Sequence, residues 1–430
     1  MTSELAVFAY LPGETTAVPV GLLEIEEDGP EVVGSSFVYG TRYLQRTNRI
    51  EIDPVGLGFM RGQEVSGVRL FPPNELTLFG GLRDAAPDAW GRRVIENRLG
   101  APANGLQESQ YLLQAGANRA GALDIRPALD APAGPRIVGT VQRLEYLLQA
   151  ADAIEEGAPV PALLHDIFEA GTSFGGMRPK AAVVDAQGRH WLAKFPSQGD
   201  LGFAVPVVEC AILKLAAECG LNVPAVKLLH VGDGRPVALI ERFDREPSPR
   251  GPTRRHFVTA LTMLGVHESR SPEMGYPDIA ERQALYGAPG SVRAQQAELF
   301  ARMIFNILVS NDDDHLRNHG FLWRGDGWVL SPLYDVVPRP SVATERNLHL
   351  NIGTEGRNAT LTNAMSRHAM FGLNRKTALA VVDGVWRVVR QWKMYFERWN
   401  VPSRDIELVA GAFRHADDIG AREIGLKKAA

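Results

Sequence analysis

Short apolar-rich runs broken by turn residues open the chain, and further on the apolar positions recur at helical spacing. Residues 5–10, 18–25, 31–39 and 49–52 lie between breaks of Pro, Gly, Asp and Asn and so predict four short strands. From Pro87 the apolar positions recur at helical spacing with Pro in the first turn, which predicts a helix over 87–95. Residues 107–113 and 141–151 continue the helical pattern, with a Pro- and Gly-rich hinge or loop over 131–135 between them. Two hairpins are predicted. The arms 180–185 and 189–195 flank Ala186-Gln187-Gly188, and the arms 321–323 and 328–330 flank Arg324-Gly325-Asp326-Gly327. Between these hairpins lies a helix over 206–219, closed by Gly220, with Val208, Ile212, Leu215 and Cys219 as its core stripe. An apolar strand over 237–244 ends in charge. An amphipathic helix over 297–310 carries Phe300, Met303, Ile304, Ile307 and Leu308 on one face, and helices dominate beyond residue 360, as in 377–395. The expected class is α+β, with strands in front and helices behind.

Composition narrows this picture only a little. A chain of 430 residues has room for two or three domains, and 45% apolar with 22% charged residues is ordinary globular usage. The formal net charge of −4 argues against a whole-surface nucleic-acid binder and leaves room for a local basic patch or a basic partner. No run approaches the roughly 18 apolar residues of a membrane span. The first residues, Met1 to Leu5, lack the basic start and apolar core of a signal peptide, so a cytoplasmic location is expected. Cys210 and Cys219 lie nine residues apart in one helical run, on opposite faces and roughly 13 Å apart along the axis, which forbids a disulfide. They read as structural thiols in a reducing compartment.

The chemistry concentrates at Asn311-Asp312-Asp313-Asp314-His315-Leu316-Arg317-Asn318 and at Leu333-Tyr334-Asp335. An acid, an amide five positions later and a second acid beyond a hairpin suit phosphoryl transfer. Asp313 can orient a hydroxyl, while Asn318 and Asp335 hold Mg²⁺ against nucleotide phosphates. The hairpin returns the chain to its starting point, which brings Asp335 beside Asn318.

Upstream, Gly171-Thr172-Ser173-Phe174-Gly175-Gly176-Met177-Arg178-Pro179-Lys180 could let backbone N–H groups approach phosphate, although it is not a Walker A loop. Taken alone, such glycines more often mark a turn. Pairing about the 186–188 turn puts Lys194 opposite Lys180 or Ala181, where it can reach phosphates; the plain alternative is a solvated edge lysine. Glu209 could pair with Lys194, or could simply complement a helix dipole. Backbone near Glu241 and Phe243 could meet an adenine edge. A glycine loop and lysine in front with acids behind is the order of a bilobal kinase.

The chain resembles the HipA-type serine/threonine kinases, the toxin halves of bacterial toxin–antitoxin pairs. The resemblance runs through Leu82, Pro87-Asp88-Ala89-Trp90-Gly91, Tyr111-Leu112-Leu113, Gly121-Ala122-Leu123 and Ser173 to Lys180. It continues through Lys194-Phe195-Pro196, Glu241 to Arg245, Asn311 to Asn318, and Pro332-Leu333-Tyr334-Asp335. It implies a bilobal protein-kinase-like fold, with an N-terminal subdomain over 1–130, a kinase N-lobe with the glycine loop over 131–246 and a helical C-lobe over 247–430. It implies Asp313 as the catalytic acid and Asn318 and Asp335 as the Mg²⁺ ligands. ATP would be held by Ser173, Gly175, Gly176, Lys180, Lys194, Glu241, Phe243, Asn318 and Asp335. Ser173, with Thr172 as the alternative, falls where the family is autophosphorylated; the added charge would expel the loop from the nucleotide site. The implied partners are a HipB-like helix-turn-helix antitoxin, through which alone DNA would be met, and an aminoacyl-tRNA synthetase as protein substrate. Two other expectations stand beside this one: a metal-dependent hydrolase built on the Asp312–His319 cluster, and a non-catalytic corepressor that acts only through its antitoxin.

Overall fold

The computed structural model describes residues 1–116, 118–134, 139–158, 160, 176–200 and 202–426. They group into two compact units. The first comprises Met1–Gln198, Leu229–Val266 and Gly320–Asp326, the second Gly199–Leu228, His267–His319 and Gly327–Ala430. The segments 1–130 and 131–246 thus fall in the first unit, apart from 199–228.

Within the first unit, three of the four expected front strands form: β1 (Thr2–Tyr10), β2 (Ala17–Asp28) and β3 (Glu31–Tyr39). Residues 49–52 do not become the fourth. The Tyr43 hydroxyl donates to the Ile50 carbonyl at 2.6 Å and accepts from the Ile50 N–H at 3.0 Å, so a side chain takes both ladder groups. The place beside β1 goes to β4 (Leu123–Arg126), giving the antiparallel order β3-β2-β1-β4.

A second sheet contains β5 (Gly139–Thr140), β6 (Lys180–Val184), β7 (His190–Lys194), β8 (Val226–Val231) and β9 (Arg235–Glu241), in the order β5-β6-β7-β9-β8. The first predicted hairpin is β6–β7, and its register sets Lys180 directly against Lys194. Helix Leu144–Glu155 covers one face of this sheet, and Leu147, Ala151, Val183, Trp191 and Leu239 close a core there with Trp90. Strand β9 stops at Glu241, short of the expected Asp244, because the next residues are taken by a buried ion network. The Asp244 carboxylate accepts from Arg242 Nε (3.0 Å), Arg245 Nη1 (2.7 Å) and the Gly121 N–H (2.8 Å), while both arginines also donate to the Arg119 carbonyl. Burial pushes the Asp244 carboxyl up, but the two guanidinium groups outweigh it and hold it well below the carboxylate range.

After β10 (Arg245–Glu246), β11 (Thr253–Arg254) and β12 (Phe257–Thr259) come the arms of the second predicted hairpin, β13 (Gly320–Trp323) and β14 (Trp328–Leu330). Of these, β10 to β13 lie in the first unit and β14 in the second, which is mostly helical. Helix Val205–Glu218 matches the expected span, and Gly220 turns the chain away at φ +80°. Helix Val292–Val309 begins five residues before the amphipathic pattern was read, and it ends at Ser310 in the left-handed region. The expected 377–395 helix is split into Arg375–Val389 and Trp392–Arg398.

Candidate active site

The acid loop is built on the end of helix Val292–Val309. Asn311 donates its N–H to the Asn306 carbonyl and its side-chain amide to Asn306 Oδ1 at 3.2 Å, which ends the helix and starts the loop. Of the three successive aspartates, Asp312 and Asp313 are exposed and Asp314 is buried. The loop then folds back on the Asp313 carbonyl, which accepts from the His315 N–H (2.9 Å) and from Asn318 Nδ2 (3.0 Å). Asn318 is 3% exposed, and its Oδ1 has no hydrogen-bond partner among the described residues. An amide with its nitrogen spent on the loop and a buried oxygen left over presents a hard oxygen donor, the kind a Mg²⁺ site uses together with carboxylate and phosphate oxygens. The residues present therefore fit the ion.

Beneath the loop lies a network with no clear mark in the sequence. Asp314 accepts from the Tyr276 hydroxyl and lies 3.0 Å from His319 Nε2, while Asn306 Nδ2 donates to the Tyr276 oxygen at 3.1 Å. Burial pushes the Asp314 carboxyl up, yet His319 and Tyr276 outweigh it and leave it below its ordinary value; burial and Asp314 together drive the Tyr276 phenol far up. Asp314 is thus a support for the loop. His315 packs edge-on to His349, their ring centres 5.8 Å apart, and His319 faces Asp314. Among the described residues no three His, Cys, Asp or Glu side chains converge as a metal cage. The two histidines of the hydrolase alternative therefore have other contacts.

The segment after β14 returns to the loop, as the hairpin required. The Tyr334 hydroxyl donates to the Arg317 carbonyl at 2.6 Å, the Val337 N–H to Asn311 Oδ1 at 3.4 Å and the Arg339 N–H to the Ser310 carbonyl at 3.0 Å. Asp335 sits between these anchors with φ +57°, a left-handed conformation uncommon for a non-glycine residue. Such backbone outliers persist where surrounding bonds enforce them, often at functional sites. Arg339 reaches back to the acids: its Nε lies 3.1 Å from Asp312 Oδ1 and its Nη2 3.3 Å from Asp313 Oδ2. Sequence reasoning missed Arg339 because no spacing rule links it to Asp313; only its place four residues after Asp335 could have hinted at it.

In the first unit, Lys194 ends β7, the middle strand of its sheet, and is 8% exposed, so it is no solvated edge lysine. Lys180 is buried deeper. Its Nζ forms an ion pair with Asp88 at 2.8 Å and donates to the Gly176 carbonyl at 3.0 Å, and its own carbonyl accepts from Trp90 Nε1. This revises the expectation of phosphate contact: the Lys180 ammonium is committed to tying the end of the glycine segment to the Asp88-capped helix Ala89–Leu99. Gly176 has φ +95°, which favours glycine. Ser173, Gly175 and Thr172 lie outside the described residues. Glu241 pairs with Trp191 across β9 and β7, and the Phe243 ring packs against Phe257. Glu209 is buried on helix Val205–Glu218.

The HipA-like C-terminal domain family matches residues 172–392, slightly more than half of the chain, from Thr172 in the glycine segment to beyond Asp335. The chain belongs to the HipA family. Over 402 residues it is 24% identical to the Sinorhizobium fredii protein Y4dM, whose naming as a kinase is itself provisional; the match covers 88% of this chain and 89% of that one. It is 29% identical over 143 residues to the serine/threonine-protein kinase toxin HipA of Shewanella oneidensis, covering 30% of this chain and 33% of that protein. The fold follows a solved HipA structure from Shewanella oneidensis, taken from a complex of HipA, HipB and operator DNA. The TM-score is 0.68 at 18% identity, over 97% of this chain and 96% of that one. The HipA fold is thereby the fold of this chain, an α+β kinase-like architecture.

Proposed function

We propose that this HipA-family chain is an ATP- and Mg²⁺-dependent serine/threonine protein kinase. In the reaction, the bond between the γ-phosphorus of ATP and its bridging oxygen breaks, a bond from that phosphorus to a serine or threonine hydroxyl oxygen forms, and ADP leaves. Asp313 orients the hydroxyl and accepts its proton. Bound Mg²⁺ would supply charge neutralisation at the phosphates. Asn318 Oδ1 and the Asp335 carboxylate are the groups suited to hold it. Lys194, with Gly175 and Gly176 of the glycine segment, would bind phosphates, and the backbone at Glu241 and Phe243 the adenine. The observation that carries this reading is the buried Asn318 oxygen, without a hydrogen-bond partner among the described residues, five residues after an exposed aspartate. A structural loop would gain nothing from leaving that oxygen unmet, since such a group costs about 1–3 kcal/mol.

The relatives extend the proposal. The chain would act as the toxin of a pair with a HipB-like helix-turn-helix antitoxin, meet DNA only through it, and arrest growth by phosphorylating a cytoplasmic protein, an aminoacyl-tRNA synthetase by family analogy. Self-phosphorylation would fall on Ser173 or Thr172. The division into 1–130, 131–246 and 247–430 is the functional one we assign. Induced expression tests it: the wild type should arrest growth and carry phosphate in the 171–176 segment, and Asp313→Gln should do neither. Arrest that survives Asp313→Gln would favour the non-catalytic corepressor and contradict the kinase.

A further inference from the structure

We infer that Arg339 is a positioning residue for Asp313, holding one carboxylate oxygen so that the other is presented to the acceptor hydroxyl. The inference rests on the phosphoryl-transfer reading and adds a residue to it.

The backbone at Arg339 is fixed from several sides. Pro338 has its φ locked, Pro340 keeps Arg339 out of the helical region, and the Arg339 N–H donates to the Ser310 carbonyl at 3.0 Å. From this base the guanidinium spans two neighbouring carboxylates, with Nε 3.1 Å from Asp312 Oδ1 and Nη2 3.3 Å from Asp313 Oδ2. Asp313 Oδ1 makes no hydrogen bond among the described residues. An exposed aspartate would otherwise sample several rotamers. Held at Oδ2 alone, it keeps Oδ1 free for one proton. Arg339 also sets a positive charge between two adjacent acids, which eases the approach of anionic phosphoryl oxygens. A planar fork can span both carboxylates, whereas a lysine offers a single point charge.

A merely structural role predicts little, because the Arg339 side chain is 48% exposed and such surface pairs hardly affect stability. A positioning role predicts a loss in turnover. The assay uses the full chain, ATP and Mg²⁺, with the chain itself and a mixed histone fraction as acceptors. Arg339→Ala should lower kcat about 10- to 100-fold while leaving KM for ATP nearly unchanged. Arg339→Lys should recover only part of that loss. Added guanidinium ion at sub-denaturing concentration should raise the rate of Arg339→Ala but not that of Asp313→Asn. If Arg339→Ala turns over like an active wild type, the inference is overturned while the kinase reading stands. A loss that appears in KM for ATP, or that guanidinium does not relieve, overturns it as well. A wild type without any transfer overturns both.

Discussion

Each part of Asn318 has a different task. Its nitrogen closes the acid loop on the Asp313 carbonyl, and its oxygen is buried with no donor to it among the described residues. Asn318→Ala removes a satisfied donor worth about 1 kcal/mol together with an unmet acceptor that costs about as much or more, so stability should change little. The metal requirement should not be spared: the Mg²⁺ concentration that gives half-maximal phosphoryl transfer should rise roughly tenfold or more. A titration with the same Mg²⁺ midpoint in both proteins would show that the oxygen is not a ligand. At this scale the sequence offers candidates where chemistry and spacing coincide, as at Asp313, Asn318 and Asp335, whose roles the proposal above assigns. It was silent on residues defined by a distant partner. Asp88 meets Lys180 across 92 positions, and Tyr276 meets Asp314 across 38, so neither pair has a local pattern to betray it.

Elements were legible where their periods were clean and their ends were marked by glycine or proline. The hairpin β6–β7, the strands β13 and β14 and the helix ended by Gly220 appear where expected. Residues 49–52 failed because alternation reports a half-buried segment but not whether a neighbouring strand or a tyrosine hydroxyl takes its backbone groups. The strand over 237–244 was read too long for a related reason, since its last residues serve an ion network. The same unit carries an acid-sensitive joint. His256, just before β12, is buried with Nε2 2.8 Å from the Ile52 carbonyl, so that nitrogen must carry the proton. Burial pulls its pKa down to about 4, only partly opposed by that bond. The unfolded chain takes up a proton near pH 6.5 and the folded chain only near 4. The contribution is therefore complete above about 6.5 and is lost as pH falls towards 4, on the order of 3 kcal/mol in all. Urea unfolding of wild type and His256→Gln should diverge in pH slope across that window, with the variant flatter. Parallel slopes would mean that His256 is not held neutral.

For the whole molecule, the order of features along the chain mattered more than any single motif. Front strands, a glycine segment, a lysine strand, a charged connector, an acid loop and a hairpin-delivered second acid together define the family, although the glycine segment alone would have been a common turn. The division into compact units was less legible, because Gly320–Asp326 joins the first unit from deep within the helical half and 199–228 joins the second from within the front half. Contacts between distant segments set that division, and no composition shift marks it. Among the described residues no helix is long and apolar enough to cross a membrane. The central claim is that this chain moves the terminal phosphoryl group of ATP through Asp313, and transfer of labelled γ-phosphate by the purified full-length protein tests it most directly. Mg²⁺-dependent labelling of protein hydroxyls, reduced at least about 100-fold in Asp313→Asn, is the result expected; equal labelling by wild type and Asp313→Asn, or none by the wild type, would contradict it.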